Sequence, residues 1–458
     1  MEAGRLRKTN AQTAGAHVRT LAETCDLLPL HGLKRERYPF LLESASQGGP
    51  RARYDILFAF PEGELSLRPD HPLEGGFLEA LDRQWRAARL QETAPPLPFT
   101  GGWFLYLGYE LAGEIEPTLR LPPAGDGFPI AVATRIPAAI LCDHERNETH
   151  LVAEAGRADL LDALESDLRA AANRPCRPGG GPLLAAPLHE DRAERYLKGI
   201  RRVQDYIAAG DVFQVNLSRL WKGHLRTGLT HAEIYARLRE RNPAPFAGLA
   251  AFGDRAILSS SPERLVERRG TRLQTRPIAG TRPRGEDEAS DRSHAQNLLA
   301  HPKERAEHVM LIDLERNDLG RVAIPGSITV DEFMGIESYA HVHHIVSNVQ
   351  GMVRPETTPG QIIRAVFPGG TITGCPKVRC MEIVAELEGV GRGPYTGALG
   401  YLNRNGDMDL NILIRSILRE GDGVSIRTGA GIVADSVPLR ELEETRDKAR
   451  GMLRALAG

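Results

Sequence analysis

Residues 275–321 read TRPIAGTRPRGEDEASDRSHAQNLLAHPKERAEHVMLIDLERNDLGR, and the prediction of the fold starts from this stretch. It begins with a turn at 276–285 in which proline restricts φ and glycine permits unusual backbone angles. After an acidic, polar run, an amphipathic pattern predicts a helix with Gly320 as its C-cap. Glu304 and Glu307 are three residues apart and therefore share one face of that helix. A basic turn beside a carboxylate-lined helix suits an anionic substrate with a divalent metal.

The C-terminal segment LRELEETRDKARGML (439–453) repeats this arrangement with Glu441 and Glu444, and Lys448 lies four residues after Glu444. Two helices that each carry a carboxylate pair could together hold Mg²⁺, which prefers oxygen ligands and keeps several waters. The alternative is that both helix faces are solvated and that Glu444 and Lys448 form an ordinary surface ion pair.

The composition is ordinary for a soluble globular protein, with 458 residues, 41% hydrophobic and 26% charged. The net charge of −2 favours neither nucleic acid nor an anionic membrane as a partner. The basic N-terminus lacks the apolar core of a secretory signal, and no apolar run is long enough to span a bilayer. The five cysteines are scattered without CxxC spacing, which disfavours a zinc site and favours the reducing cytoplasm.

The order of predicted elements indicates two parts joined by a linker. Residues 20–172 form a β-rich N-terminal part, residues 173–189 are dense in Pro and Gly, and residues 190–458 form the catalytic part. Strands and helices do not alternate in βαβ order, so we predict an α+β fold of large antiparallel sheets, packed as a sandwich with helices outside. Besides the helix that ends near Gly320 and a helix within 367–388, the predicted helices of the second part are 190–209, 231–241, 359–366 and 439–456.

Two glycine-rich segments are candidate binding loops. PGGTITGCPK (368–377) could present backbone N–H groups to an anion at a helix N-terminus, but it is neither a P-loop nor a dinucleotide fingerprint. The alternative is a plain loop before a helix. Gly429-Ala430-Gly431 is a second flexible backbone patch, for which a simple bulge is the alternative.

Four further side chains could carry chemistry. Arg415 and Tyr395 could bind a carboxylate, Glu263 could act as a general acid if it is buried, and His344 could be a catalytic histidine. The alternatives are structural roles, a turn cap for Glu263 and a core position for His344. The sequence has neither a GxCxG nor a GxSxG motif, so if the protein uses ammonia, the ammonia must come from elsewhere.

Taken together, these motifs resemble one known family, the chorismate-binding domain of anthranilate synthase component I, aminodeoxychorismate synthase component I, and the isochorismate and salicylate synthases. The resemblance extends from about Glu190 to the C-terminus, and it implies the fold of the chorismate-utilising enzymes. The motifs that carry it are PIAGTRPRG, KERAEHVMLIDLERNDLGR, GGTITGCPK, GALGYL, IRS, GAGIVADS and EETRDKAR.

The resemblance implies a role for each candidate residue. The implied metal ligands, for Mg²⁺, are Glu307 and Glu444, with Glu304 and Glu441 beside them. The positions implied to bind chorismate are Thr373, Gly374, Tyr395, Arg415, Gly429, Ala430 and Gly431. Glu263 is implied as the acid that helps the C4 hydroxyl to leave, with His344, Thr281 and Lys448 as the other catalytic positions.

Within the family, the segments YPFLLESASQGGPRARYDILFAF, NPAPFAGL and GDMDLNI are more similar to aminodeoxychorismate synthase component I, which makes a precursor of p-aminobenzoate and folate. Its ammonia comes from a separate glutamine amidotransferase subunit. One departure favours anthranilate synthase component I: Ala279 stands where most aminodeoxychorismate synthases carry a nucleophilic lysine. An isochorismate-type isomerase and a non-catalytic relative are further alternatives.

A regulatory site is also implied by the resemblance. Glu43, Ser44, Pro243 and Phe246 correspond to the tryptophan-binding region of the family, which carries feedback inhibition in anthranilate synthases. The same residues could instead be packed without a ligand in this chain.

Overall fold

The computed structural model describes residues 8–12, 15–45, 53–91, 97–172, 174, 176, 180–285, 287–338 and 342–458. The strands in these ranges are β1 Lys8–Gln12, β2 Ala16–Ala22, β3 Phe40–Glu43, β4 Tyr54–Ala59, β5 Glu64–Leu67, β6 Gly102–Leu107, β7 Ala131–Ile136, β8 Ala138–Asp143, β9 Glu148–Glu154, β10 His189–Glu190, β11 Gln214–His224, β12 Phe246–Phe252, β13 Arg255–Ser261, β14 Arg264–Arg269, β15 Arg272–Thr275, β16 Ile278–Pro283, β17 Thr329–Ser338, β18 Val342–Met352, β19 Gly374–Cys375, β20 Ala398–Asn403, β21 Met408–Asn411, β22 Ser416–Glu420 and β23 Gly423–Ile432. The helices are α1 Leu28–Leu33, α2 Phe77–Ala88, α3 Ala112–Ile115, α4 Asp159–Ala171, α5 Ala193–Ala208, α6 His231–Arg241, α7 Glu288–Ala300, α8 Pro302–Gly320, α9 Pro359–Val366, α10 Lys377–Glu388 and α11 Pro438–Ala457.

The strands form two sheets, and their neighbouring strands pair antiparallel. The first has the order β1-β2-β9-β8-β4-β3-β12-β13-β22-β23-β11-β10, with β19 also paired to β11. The second has the order β16-β18-β15-β14-β21-β20-β6-β7-β5, with β17 also paired to β18. The β12–β3 and β20–β6 pairings join strands from the two predicted parts of the chain. The boundary near residues 173–189 stays a prediction, but strands from both sides of it share both sheets.

An aromatic layer packs the two sheets face to face. Phe40 and Phe58 of the first sheet contact Phe104 of the second, and the Phe40 and Phe104 rings stack with centroids 3.9 Å apart. Neighbours along a strand point to opposite faces, so Trp103 and Leu105 instead join the core beneath the helices on the far side of the second sheet. Strand β6 is therefore buried on both faces, as its continuous apolar run indicates.

Helices cover the outer faces of both sheets. Helices α1, α4, α6 and α11 pack with the first sheet, and α2 and α9 pack with the second. This confirms the predicted α+β sandwich with external helices. None of the helices in the described ranges is long and apolar enough to cross a membrane.

Local signals account for several helix ends. Thr230 and Glu233 form a capping box at the start of α6, and Thr358 does the same with Gln361 at α9. The prediction of Gly320 as a C-cap was wrong, because α8 runs through Gly320 and ends at Arg321, whose backbone is helical. Helix α7 was not predicted, since its polar sequence buries only Leu298 and has no apolar stripe.

We expect Phe104→Ala to lower the free energy of unfolding by about 3–5 kcal/mol, because it opens a cavity between the sheets. Urea denaturation followed by circular dichroism measures this change. The control is Phe213→Ala, since Phe213 is 69% exposed and its loss should change stability by less than about 0.5 kcal/mol. Similar effects of both substitutions would contradict the assignment of Phe104 to the shared core.

Candidate functional site

The centre of the candidate site is the end of strand β23, which pairs with β11. A Cβ atom added to Gly431 would lie 2.2 Å from the Gln214 side-chain nitrogen and 3.5 Å from Glu307 Oε1. A Cβ atom added to Gly429 would lie 2.8 Å from the Tyr395 hydroxyl oxygen. The absence of side chains here therefore lets three polar groups approach the strand. Ala430 lies between these glycines and packs into the core on the opposite face.

Lys448 and Arg415 place positive charge beside this strand. Lys448 Nζ donates to the Gly429 carbonyl at 2.9 Å and pairs with Glu444 at 2.7 Å. Arg415 Nη1 donates to the Lys448 carbonyl at 3.0 Å. Within the described ranges, no carboxylate lies within 4.0 Å of the Arg415 guanidinium. Arg415 can therefore bind the carboxylate of a ligand.

Arg415 also has unusual backbone geometry. Its φ is +53°, and that of Thr396, next to Tyr395, is +64°. Non-glycine residues rarely adopt such values, and the strain is typically held at functional sites by the surrounding structure. Burial raises the pKa of Tyr395 to about 12, so its hydroxyl stays protonated and can donate a hydrogen bond.

The four predicted metal-site carboxylates lie close enough to influence one another. Burial, with the charges of Glu304 and Glu444, raises the pKa of Glu307, whose Oε1 accepts a hydrogen bond from Gln214 at 2.9 Å. Burial and Glu444 also raise the pKa of Glu441. Although burial opposes it, the ammonium of Lys448 lowers the pKa of Glu444.

This carboxylate group suits a divalent cation that keeps much of its hydration. Among the described residues, no three His, Cys, Asp or Glu side chains are gathered closely enough to chelate a metal. Mg²⁺ usually binds through only one or two carboxylates together with waters and substrate oxygens. A cation there would also relieve the repulsion that raises the pKa of Glu307. The donor chemistry therefore fits Mg²⁺, and the ion itself stays a prediction.

Glu263 is buried and retains its proton near neutral pH. Burial, with the negative charge of Glu315, raises its pKa to about 8. Lys448 has the opposite, smaller influence on this pKa, so the Lys448 ammonium and the Glu263 carboxyl lie in the same region. A carboxylic acid that is protonated at neutral pH can serve as a general acid.

His344 lies on β18 opposite Thr281 of β16. Its Nδ1 donates to the Gly280 carbonyl at 3.3 Å, and burial lowers its pKa to about 4, so the ring is neutral near pH 7. A Cβ added to Gly280, whose φ is +63°, would lie 2.7 Å from Glu304 Oε2. The predicted turn at 276–285 was wrong, because most of it forms strand β16 paired with β18, and this strand contacts the first helical carboxylate. The Thr281 side chain lies outside the described residues.

The loop before α10 closes another side of the site. The Asn216 backbone N–H donates to the Thr373 carbonyl at 2.9 Å, and the buried Thr373 hydroxyl donates to the Gly369 carbonyl at 2.9 Å. Gly374 pairs with Val215 in β11 at a φ of +130°. These contacts place the loop beside Gln214, and its role in binding chorismate stays a prediction.

Several residues that the sequence did not indicate pack against the site residues and support them. Glu388 accepts hydrogen bonds from Arg392 at 2.7 Å and from Arg427 at 3.0 Å. The Arg392 guanidinium also lies over the Tyr395 ring, 5.5 Å from its centroid. Gln214 is likewise a missed residue, because VFQVNLS predicts a strand but gives no signal that its side chain reaches Glu307.

The predicted regulatory residues fall into a separate region of the first sheet. Glu43 is buried and pairs with Arg239 at 2.7 Å. The Ser44 hydroxyl donates to the Pro245 carbonyl at 3.2 Å, and Phe246 carries the Arg264 guanidinium over its ring. The β3–β12 pairing thus joins 43–44 to the segment that contains Pro243. Binding of tryptophan there stays a prediction.

Comparison with known proteins defines the class. Residues 38–454 match the family described as chorismate binding enzyme, and the chain belongs to this family. It is 42% identical to aminodeoxychorismate synthase component 1 of Bacillus subtilis over 92% of each chain. It is 39% identical to anthranilate synthase component 1 of Thermus thermophilus, over 91% of this chain and 92% of the relative.

Solved structures agree with the fold. Anthranilate synthase component I from Streptococcus pneumoniae superposes with a TM-score of 0.77 at 30% identity, covering 88% of this chain and 92% of the other. The menaquinone-specific isochorismate synthase MenF from Escherichia coli gives a TM-score of 0.73 at 18% identity, covering 99% and 96%. The predicted resemblance is therefore confirmed at the level of the family, whose members act on chorismate.

The raised pKa of Glu263 predicts a pH-dependent stability. Since the folded pKa of about 8 exceeds the ordinary value of 4.5, the contribution of Glu263 is fully present below pH 4.5 and is lost as pH rises through 8. We therefore expect Glu263→Gln to gain stability relative to the parent protein as the pH rises from 4.5 to 8. Urea denaturation at several pH values measures this difference, and a constant difference would contradict the burial argument.

Proposed function

We propose that the protein is aminodeoxychorismate synthase component I, which converts chorismate and ammonia to 4-amino-4-deoxychorismate and water for p-aminobenzoate and folate synthesis. The observation that carries a chorismate reaction is the buried, protonated Glu263 in the region of Lys448, beside Arg415. The 42% identity to the Bacillus subtilis relative over nearly the whole chain supports the aminodeoxychorismate product.

In this proposal the basic groups bind the two carboxylates of chorismate. Arg415 and the Tyr395 hydroxyl supply donors, and the side-chain-free backbone at Gly429 and Gly431 leaves room for the ligand. The ammonium of Lys448 contacts both Glu444 and the Gly429 carbonyl, and these contacts hold it beside the space left for the ligand. Fixed donors of this kind orient the ring before reaction.

Glu263 then donates its proton to the C4 hydroxyl, which leaves as water, because hydroxide itself is a poor leaving group. Near pH 7 the imidazole of His344 is neutral, so it can accept a proton rather than supply one. Glu307 and Glu444, with Glu304 and Glu441, would hold Mg²⁺, which when bound anchors the ring carboxylate and offsets its charge.

Ammonia reaches the site, in this proposal, from a separate glutamine amidotransferase subunit. The basis is the lack of GxCxG and GxSxG nucleophile motifs in the sequence. The cytoplasm is the proposed compartment, since free thiols at all five cysteines suit a reducing environment.

Anthranilate synthase component I is the second candidate, and Ala279 favours it. Ala279 is buried in β16 opposite Ile345, and its methyl group cannot act as a nucleophile. Direct addition of ammonia at C2 would then lead to the anthranilate-type intermediate. The 39% identity to the Thermus thermophilus relative is consistent with this candidate.

The product assay separates these candidates. We expect the pure protein with chorismate, Mg²⁺ and ammonium to form p-aminobenzoate only when an aminodeoxychorismate lyase is added. Chromatography with fluorescence detection distinguishes p-aminobenzoate from anthranilate. Anthranilate formed without the lyase would identify the second candidate, turnover with water alone would indicate an isochorismate-type enzyme, and binding without turnover would indicate a non-catalytic relative.

The metal assignment is tested by substituting Glu307 on α8 and Glu444 on α11, with the neighbour of Glu444 as the control. Glu444→Gln and Glu307→Gln should each lower kcat/KM by about 100-fold or more at low Mg²⁺, because they remove a charged ligand. The matched control is Glu443→Gln, whose partner is the half-exposed Arg446. Steady-state kinetics across a Mg²⁺ titration measures the effect, and equal loss in the control would overturn the assignment.

A further inference from the structure

A second cleft, of about 1140 Å³, lies at the end of strand β22 that is remote from Arg415. It is bounded by the end of α1 and the turn after it, by the start of α6, and by the turn that joins β22 to β23. Arg415 immediately precedes β22, and Arg419 lies near its far end. Arg419 follows Arg415 by four residue steps along the strand, a distance of roughly 13 Å.

One wall of the cleft carries a buried arginine and two buried histidines, and burial lowers the pKa of both histidines to about 4, so their rings are neutral near pH 7. His31, His231 and Arg419 line it and are 1%, 4% and 9% exposed. The two imidazole rings have centroids 6.3 Å apart, and Arg419 Nη1 lies 3.3 Å from His231 Nδ1. Arg35 at the rim lowers the pKa of all three groups, although burial is the larger cause for each. Four nitrogen-bearing side chains therefore converge on one space.

The partners of these buried groups are neutral. His31 Nδ1 donates to the Tyr38 carbonyl at 2.8 Å, and Arg419 Nε donates to the Gly421 carbonyl at 2.7 Å. His231 Nδ1 accepts from Arg419, because its Nε2 faces the Gly253 carbonyl at 3.4 Å. Among the described residues, no carboxylate lies within 4.0 Å of the Arg419 guanidinium.

Two other buried arginines of this protein have carboxylate partners, whereas the buried Arg268 donates to the Gly270 and Thr357 carbonyls. Arg264 contacts Asp409 through two hydrogen bonds of 2.9 Å, and Arg392 contacts Glu388 at 2.7 Å. Removing a charge from water is costly unless an opposite charge compensates it. Burial accordingly lowers the pKa of Arg419. The cleft therefore holds a buried cation that an anion from solution could pair with.

The other charged side chains described around the cleft do not form an ion pair with Arg419, so an anion from solution can pair with it. The carboxylates of Asp422, Glu233 and Asp254 act on Arg419 only from beyond ion-pair distance. Glu233 is engaged by Thr230, and Asp254 lies 3.7 Å from Arg255. Other lining cations already have partners: Lys34 and Arg37 pair with Asp167, and Arg157 pairs with Glu62.

Apolar side chains line the rest of the cleft. Leu33, Phe60, Pro61 and Leu229 lie along it, so a ligand with a hydrophobic body can pack there. The volume is ample for a small organic molecule. We propose that this cleft is a second ligand site that binds a small organic anion, whose carboxylate or phosphate pairs with Arg419 and Arg35. The site is distinct from the chorismate site and does not depend on the proposed reaction.

Isothermal titration calorimetry with three matched probes tests this proposal on the full chain. Benzoate and phenyl phosphate carry the two candidate anionic groups, and benzyl alcohol is the neutral control. We expect saturable binding of one or both anions and none of the alcohol. The anion that binds more tightly identifies the preferred group.

Substitutions then locate the binding. Arg419→Gln should weaken it by about tenfold or more, because it removes a charge-assisted hydrogen bond. Arg201→Gln is the control, since Arg201 lies on the exposed side of α5 away from the cleft. Should Arg419→Gln fail to fold, Arg35→Gln changes only an exposed side chain and should weaken binding several-fold.

Arg415→Gln distinguishes the two sites. If benzoate affinity falls with Arg415→Gln and not with Arg419→Gln or Arg35→Gln, the anion occupies the chorismate site and the proposal is wrong. Absence of saturable binding by both anions would also overturn it, as would equal binding of benzyl alcohol.

Discussion

The antiparallel pairing of β11 with β23 is the constraint on which the site depends. It places Gln214 beside Gly431 and brings the Gln214 amide within hydrogen-bonding distance of Glu307 on α8. Helix α11 returns along β23, so Lys448 reaches the Gly429 carbonyl. A change of register by one residue would turn every side chain of the strand to the other face. The geometry of the site therefore depends on the register of this strand pairing.

The charges of the site are not balanced by the protein alone. Arg415 lacks a carboxylate partner in the described ranges, and Glu307 lies among carboxylates that raise its pKa. Glu263 is buried deeply enough to keep its proton near neutrality. A ligand that carries carboxylates, together with a divalent cation, would compensate both kinds of charge. Such imbalance is typical of functional sites, where binding supplies the missing partners.

The two sheets also tie the N-terminal strands to the site. Strand β3 pairs with β12, and β6 pairs with β20, so the N-terminal half completes the sheets that position the candidate site residues. The buried Glu388, with Arg392 and Arg427, reinforces this arrangement behind Tyr395.

Local patterns in the sequence determined the fold class, most elements and the candidate site residues. Helix 231–241 and helix 359–366 were predicted with the observed bounds, because apolar periodicity and capping residues act over a few neighbours. Tertiary structure alone decided the contact of Gln214 with Glu307, the burial of Glu263 and the convergence of His31 and His231 on Arg419. Each of these depends on residues far apart in the chain, and neither burial nor an unpaired charge can be deduced from sequence spacing. The polar helix α7 was missed because it has no apolar stripe to reveal it.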